Sequence, residues 1–372
     1  MRKTVINLYN KRLFNIHMER NIPQRRWISS KDEKQEMLNL WPSVVRDLTD
    51  NHDPNTPQIT NLLTNILQYN VPKGKMTRAR DLVIAYQHLA PPDELNEKNI
   101  RLARILGWCN ELLQAFIIIE DDIMDRSISR RGQPCWYLQD DIGLAAIKHG
   151  FLVEQMIYRL LKMHFREKPC YPDLVDIFHN TIYKTTAGEY LDLFWANFGK
   201  KPNLNLFTMD RYNTMIKYKT SYCSFILPTT VAKNFAGIKD NDEFRQVDKL
   251  LIEIGNFFQN QNDFLDCFGN PEETGKIGTD IQEGKCTWLS TTALQLVNSQ
   301  QRKILEECYG ENDGEKSARV KELYHELKLQ TIYNDYEEKK YNLIINQIKQ
   351  KSPQLLQNLL LTILNSIYRR NK

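Results

Sequence analysis

The chain has 372 residues, of which 41% are hydrophobic and 26% charged, as in ordinary globular proteins. Its formal net charge is only +4, from 50 basic and 46 acidic residues, so we expect no nucleic-acid partner. No stretch approaches the about 20 consecutive apolar residues of a membrane span, so we expect no integral membrane segment. The seven cysteines are scattered without zinc-site spacing, which predicts reduced, intracellular thiols.

The first 30 residues differ in composition from the rest of the chain. They contain one acidic residue, Glu19, and seven basic residues that are interleaved with apolar ones. This pattern is typical of an amphipathic mitochondrial presequence, but it fits a frayed basic arm on a cytoplasmic protein equally well. We therefore predict a basic extension over residues 1–32 and a folded domain over residues 33–372, and both locations stay open.

From about residue 33 onward the apolar residues recur with helical spacing almost throughout, as Met37, Trp41, Val44 and Leu48 do. The polar, glycine-containing segment 271–285 predicts a loop, and no run alternates with the period of a strand. The predicted helices cover residues 36–48, 59–69, 98–119, 143–165, 174–197, 211–236 and 245–268, with three or four more between residues 287 and 368. The pattern predicts an all-α, single-domain helical bundle.

Two acidic clusters lie about 140 residues apart on these helices, Asp121-Asp122-Ile123-Met124-Asp125 and Asn262-Asp263-Phe264-Leu265-Asp266. Their first and last members are four residues apart and share one helix face. One such cluster alone is more often a solvated acidic helix end. Two of them on apolar helices need a compensating partner, and a hard divalent cation with oxygen ligands is the natural one.

Cationic residues follow each acidic cluster. Arg130 and Arg131 come just after the first, and Lys276 and Lys285 after the second. Magnesium held between two facing helices would clamp a diphosphate, and Arg130, Lys219 and Lys276 would neutralise its outer oxygens. Loss of diphosphate from an allylic carbon leaves a carbocation that needs a dry apolar cavity. Phe116, Ile117, Phe257, Phe258 and Phe264 are candidate walls, although core packing is the safer interpretation of any one of them.

Three long segments resemble the trans-isoprenyl diphosphate synthase family, and within it the animal farnesyl diphosphate synthases. They read GWCNELLQAFIIIEDDIMDRSISRRGQPCWY, IKYKTSYCSFILP and FFQNQNDFLDCFGNPEETGKIGTDIQEGKCTWL. The resemblance implies the isoprenoid synthase (class I terpenoid synthase) fold, prenyl diphosphate substrates and a homodimer. It also implies three magnesium ions per site, with manganese as an alternative.

The resemblance also assigns roles to individual residues. It implies metal binding by Asp121, Asp122, Asp125, Asp192, Asp263 and Asp266, to which we add Asn262 through its carbonyl oxygen. It implies that the allylic diphosphate is held by Arg130, Lys219, Lys276 and Lys285, with Asp280 and Lys285 in a closing loop. The isopentenyl diphosphate positions are Lys75, Arg78, Gln114, Arg131, Thr220 and Gln259, and the cavity walls are Phe116 and Ile117. We expect Asp121, Asp122, Asp125, Lys219 and Asp263 to be catalytic.

Several positions depart from the family pattern. Asn262 replaces an aspartate, Cys223 a tyrosine near the isopentenyl site, Glu189 a glutamine and Ile117 a phenylalanine, while Lys73, Thr77 and Ala79 alter the motifs around Lys75 and Arg78. Most of these changes fall on the isopentenyl side, and the ionisation residues are largely kept. The pattern is typical of a terpene synthase that evolved on a prenyltransferase scaffold.

Three functions remain in view. The first is a magnesium-dependent sesquiterpene synthase, a lyase that ionises farnesyl diphosphate and releases a hydrocarbon or alcohol. The alternative is a farnesyl or geranyl diphosphate synthase that condenses isopentenyl diphosphate with dimethylallyl or geranyl diphosphate. Retention of Lys75, Arg78, Arg131 and Thr220 favours this alternative. The third is an inactive paralogue that acts as a partner subunit, against which the surviving ligands argue.

Overall fold

The computed structural model describes residues 30–50, 56–239, 242–275, 277–352 and 354–369. The first helices are α1 (Ser30–Thr49), α2 (Pro57–Asn70), α3 (Thr77–Leu89), α4 (Glu97–Met124), α5 (Ala146–Phe165) and α6 (Tyr171–Trp195). Next come α7 (Met209–Ile216), a π-helix (Lys217–Ile226), α8 (Leu227–Phe235) and α9 (Asp242–Phe268). The last are α10 (Pro271–Thr274), α11 (Asp280–Glu283), α12 (Trp288–Leu296), α13 (Ser299–Cys308), α14 (Gly314–Glu326), α15 (Leu329–Lys351) and α16 (Gln354–Ile367).

The all-α prediction is confirmed. In the described ranges the β-structure is one short antiparallel hairpin, formed by β1 (Ser129–Arg130) and β2 (Gln133–Pro134). Three predictions were wrong in detail. Segment 211–236 is not one helix but α7, the π-helix and α8; the predicted loop 271–285 contains α10 and α11; and five helices, not three or four, follow residue 287. Residues 1–29 lie outside the described residues, so the choice between presequence and arm stays a prediction. Lys276 also lies outside them.

Helix α4 is the central element of the bundle. Asn96 caps it by accepting a hydrogen bond from the backbone N–H of Asn99 at 3.0 Å. Most residues from Leu102 to Ile119 are buried, and Trp108 packs on Trp41 of α1 with ring centroids 4.4 Å apart. In length and composition this described helix could cross a membrane, but 83% of its most apolar stretch is buried inside the protein, as expected of a core helix. The first acidic cluster therefore lies at the C-terminal end of a long, mostly buried helix.

Two glycines allow the π-helix to lie unusually close to its neighbours. A Cβ atom on Gly188 of α6 would lie 2.1 Å from the backbone nitrogen of Lys219. A Cβ atom on Gly255 of α9 would lie 2.2 Å from Oγ of Ser221. Glycine therefore permits backbone approaches that no other residue would allow on either side of the π-helix. This packing places α6, the π-helix and α9 side by side around one cavity.

Asp81 of α3 is an acidic residue within the core, 7% exposed. Burial raises the pKa of its carboxyl to about 7, against the opposing effect of Arg80 and Arg78. Because the pKa of Asp81 is higher in the folded than in the unfolded chain, its contribution to the free energy of unfolding is most favourable below pH 4. This contribution is lost as the pH rises towards 7. We expect Asp81→Asn to stabilise the protein more at pH 8 than at pH 5, by about 2 kcal/mol in urea unfolding.

The exposed Asp93 offers a matched control for this measurement. Asp93→Asn should shift the free energy of unfolding equally, and only slightly, at both pH values. A pH-independent effect of Asp81→Asn would contradict the prediction.

Candidate functional site

A cavity of about 250 Å³ opens among α4, α6, the π-helix, α9 and segment 277–287. Most of the site residues expected from the sequence line it, so the two distant acidic clusters face one space, as predicted. These lining residues are Arg78, Gln114, Ile117, Asp121, Asp125, Arg130, Asp192, Lys219, Thr220, Gln259, Asn262, Asp263 and Lys285. Phe116 is buried in the main core rather than among the lining residues.

Lys219 and Lys285 lie between the carboxylates of the site. The Lys219 ammonium is 2.6 Å from Oε2 of Glu189, 2.7 Å from Oδ2 of Asp192 and 3.3 Å from Oδ1 of Asp121. The Lys285 ammonium is 2.6 Å from Oδ1 of Asp125 and 3.0 Å from the same Asp192 oxygen. Asp192 therefore accepts from both lysines and links the two sides of the cavity.

These ion pairs fix the charge state of the buried groups. Burial raises the pKa of Asp121 and Asp192, but the neighbouring cations, Lys219 first among them, outweigh burial and lower both pKa values overall. Burial lowers the pKa of Lys219 and Lys285, and the carboxylates reverse this and raise both. For Asp125, burial and then the Asp121 charge raise the pKa to about 6. At neutral pH Asp121, Asp192, Lys219 and Lys285 therefore carry full charges.

The β1–β2 hairpin directs two consecutive arginines to different places. Its two-residue turn is Arg131-Gly132, with φ of 57° and 74°, as in the tight turns that suit hairpins. Arg130 donates to Oδ1 of Asp122 at 2.8 Å from Nε and 2.5 Å from Nη2, and to Asp121 at 3.2 Å. Arg131 donates instead to the carbonyl oxygen of Asn70 at 2.6 Å. Asp122 is thus buried against Arg130 rather than lining the cavity.

The second acidic motif is held by hydrogen bonds from three elements. Asp263 accepts from the Tyr212 hydroxyl at 2.5 Å, the Trp288 backbone N–H at 2.8 Å and the Gln259 amide at 2.9 Å. Burial nevertheless raises its pKa to about 6, with these bonds opposing the rise. The Asn262 amide donates to Oε1 of Gln259 at 3.3 Å. These hydrogen bonds hold the side chains of Asn262 and Asp263 at the cavity wall.

Asp266 is oriented differently, towards the segment that follows α9. Its Oδ1 accepts from the backbone N–H of Asp280 at 3.1 Å, and it is not among the cavity-lining residues. Lys276, which was expected to hold diphosphate, lies outside the described residues. The metal-binding role of Asp266 and the phosphate-binding role of Lys276 stay predictions.

The isopentenyl-side residues adjoin the same cavity. Arg78 donates to Oγ of Ser224 at 3.1 Å from Nε and 2.8 Å from Nη2, and Thr220 donates to Gln259 at 2.8 Å. Lys75 is exposed and, like Arg131, does not line the cavity. The assignment of Lys75 and Arg131 to a second diphosphate therefore stays a prediction.

Several residues of the site were missed by the sequence analysis, and three of them contact or lie close to predicted site residues. Ser224 orients Arg78, Tyr212 orients Asp263, and Glu283 lies 3.9 Å from the Lys285 ammonium. Ser224 follows Thr220 by four residues, a spacing that could have suggested it. Tyr212 and Asp263 are 51 residues apart, and no local pattern links them.

The carboxylate-rich donor set suits magnesium in its chemistry, since magnesium prefers oxygen ligands. In the described ranges, however, no three acidic, histidine or cysteine side chains converge closely enough to hold one ion. Lys219, Lys285 and Arg130 lie between the carboxylates instead. A metal would have to take the carboxylate oxygens that these cations now contact.

Comparisons with known proteins identify the family of the chain. The family model described as polyprenyl synthetase matches residues 60–327. The chain is 45% identical over 343 residues to the farnesyl pyrophosphate synthase of Nezara viridula, covering 92% of this chain and 84% of that protein. It is 44% identical to the Bos taurus enzyme of the same name, covering 91% and 97%. A solved T. brucei farnesyl diphosphate synthase complexed with risedronate superposes with a TM-score of 0.83 at 28% identity, covering 91% of this chain and 99% of that one.

These findings overturn the terpene synthase interpretation, together with its classification as a lyase. The relatives are named as synthases of farnesyl pyrophosphate, which favours the chain-elongating alternative. The error lay in the weight given to the departures at Lys73, Thr77, Ala79, Cys223 and Asn262. Arg78 is still held at the cavity by Ser224, so these changes do not remove the cation on that side.

Proposed function

The chain belongs to the polyprenyl synthetase family of prenyltransferases, and on this premise we propose that it is a farnesyl diphosphate synthase. It would condense isopentenyl diphosphate with dimethylallyl diphosphate and then with geranyl diphosphate. The observation that carries the proposal is that cations line one cavity at two separate places. Lys219, Lys285 and Arg130 lie beside the carboxylates, and Arg78 lies apart from them on Ser224.

Each cation set suits one substrate. Lys219, Lys285 and Arg130 would hold the allylic diphosphate, and Arg78 with Arg131 and Lys75 would hold isopentenyl diphosphate. Asp121, Asp125, Asp192, Asn262 and Asp263 would bind magnesium, which would neutralise the charge of the departing diphosphate.

The apolar lining supports the same chemistry. Ile117, Ile118, Met215 and Phe258 line the cavity together with the charged groups. They would exclude water while the allylic carbon loses diphosphate and bonds to the double bond of isopentenyl diphosphate. The proton then lost from the new chain would leave with the diphosphate.

A paired assay tests this proposal. The purified protein is incubated with magnesium and dimethylallyl plus isopentenyl diphosphate, or with magnesium and farnesyl diphosphate alone. We expect geranyl and farnesyl diphosphates in the first case and unchanged substrate in the second, with no product in the presence of a chelator. Absence of longer diphosphates at saturating isopentenyl diphosphate would overturn the proposal.

We also propose that the protein is a homodimer through α5 and α6. These neighbouring helices expose large apolar side chains, among them Phe151 and Leu152 on α5 and Tyr183, Tyr190 and Phe194 on α6. Tyr183 is 75% exposed, and an apolar face of this kind usually marks an interface.

Light scattering after size exclusion tests the interface. The wild-type chain of 43.9 kDa should elute with twice that mass, and Tyr183→Glu combined with Phe194→Glu should elute as a monomer. Leu343→Glu on α15 introduces the same charge at another exposed apolar position and should leave the dimer intact. A monomeric wild type, or a dimeric double variant, would contradict the proposal.

A further inference from the structure

We propose that Glu189 is a positioning residue that restrains Lys219 and thereby weakens binding of the allylic diphosphate. The inference rests on the proposed function for the identity of that ligand. Glu189 lines the cavity and lies 2.6 Å from the Lys219 ammonium, the shortest of the three contacts this lysine makes with carboxylates.

The donor capacity of Lys219 explains the restraint. An ammonium group has three N–H donors and no acceptor. Three carboxylates lie within 3.3 Å of it, from Glu189, Asp192 and Asp121. A diphosphate oxygen can therefore bond Lys219 only by displacing one of them, and the attraction it gains is reduced by the attraction lost.

Glu189 differs from the other two carboxylates in its surroundings. Asp192 also accepts from Lys285, and Asp121 also accepts from Arg130. Each of these two aspartates therefore keeps a cationic partner when Lys219 binds the diphosphate. The ion-pair partner of Glu189 in the described residues is Lys219. A diphosphate that binds Lys219 therefore leaves the negative charge of Glu189 uncompensated and close to the negative charge of the diphosphate.

The position of Glu189 in the fold makes this contact hard to avoid. It follows Gly188, where the backbones of α6 and the π-helix meet at the level of Lys219. The family that the sequence resembles has a glutamine at this position, which has the same shape without the charge. Glu189, once ionised, therefore adds one negative charge to the allylic subsite of this chain.

The test compares wild type with Glu189→Gln at pH 9. That pH lies above the value of about 8 to which burial raises the pKa of Glu189, so the wild-type carboxylate is charged. We expect KM for dimethylallyl diphosphate to fall about tenfold, with kcat and KM for isopentenyl diphosphate within about twofold. Glu189→Met, also uncharged and of similar volume, should act in the same direction.

A second measurement needs no turnover. Inorganic diphosphate is titrated calorimetrically at pH 9 into each protein without metal, and Kd should be about tenfold lower for Glu189→Gln. Glu253→Gln provides the control. Glu253 of α9 forms an ion pair of 2.5 Å with Lys340 of α15, and neither residue lines the cavity. This variant should change neither KM nor Kd, and thermal unfolding should show all variants folded.

The outcomes separate the two proposals. An unchanged or raised Kd and KM in Glu189→Gln would overturn the role of Glu189, as would a loss of kcat without a change in KM. If the wild type makes no longer diphosphates but Kd still falls in Glu189→Gln, the inference about Lys219 stands and the proposed function fails.

Discussion

Asp121→Asn is expected to lower the rate of prenyl condensation by about a thousandfold while the chain stays folded. Asp121 lies at the meeting point of the site, within 3.3 Å of both Lys219 and Arg130. The substitution removes one full charge from the proposed metal ligands. Lys219 keeps Glu189 and Asp192, and Arg130 keeps Asp122, so no buried cation loses all its partners. The measurement is kcat at saturating substrates and magnesium, together with thermal unfolding.

The exposed Asp210 of α7 gives the control for this experiment. Asp210→Asn removes the same charge away from the cavity and should leave kcat within about twofold. If Asp121→Asn retained more than a tenth of the wild-type rate, or if activity persisted in a chelator, the proposed metal site would be wrong.

Gly188→Ala is expected to destabilise the fold by about 3 kcal/mol and to impair both substrate subsites. The new Cβ atom would lie 2.1 Å from the nitrogen and 2.6 Å from Cα of Lys219, both in the backbone, where no side-chain movement gives relief. Separation of α6 from the π-helix would shift Lys219 and Thr220 relative to Asp192. Urea unfolding and steady-state kinetics measure the two effects.

Gly314 at the start of α14 is the matched control. A Cβ atom there meets no atom within 4 Å, so Gly314→Ala should preserve both stability and rate. A Gly188→Ala variant with wild-type stability would show that the π-helix can move without cost.

The sequence predicted the bundle and most of the cavity because both depend on local spacing. Asp121 and Asp125 share one helix face because they are four residues apart, and their helix is expected to be buried because it is long and apolar. The π-helix was not predictable in this way, since Lys217–Ile226 continues the same periodicity as the helices on either side. The shared position of Asp192 between Lys219 and Lys285 joins residues from three elements, and no pattern in the chain indicates it.

The functional error has a physical cause as well. Spacing shows which residue types are available at a cavity, but not how much a change such as Cys223 or Asn262 alters binding. Cys223 lines the cavity beside Ser224, which still holds Arg78, and Asn262 remains at the wall through Gln259. Both side chains therefore keep a polar partner at the cavity, Ser224 for Cys223 and Gln259 for Asn262.

The Arg131-Gly132 turn has a consequence for the distance between the two substrates. Arg130 contacts the carboxylates of the allylic side, and Arg131, whose Cα is one peptide unit away at about 3.8 Å, is turned towards Asn70. If each arginine holds one diphosphate, the hairpin sets the distance between the two diphosphates. The two-residue turn fixes this distance rather than the helices. An insertion in the turn would therefore change the spacing of the reacting carbons and leave the residues that line the cavity unchanged.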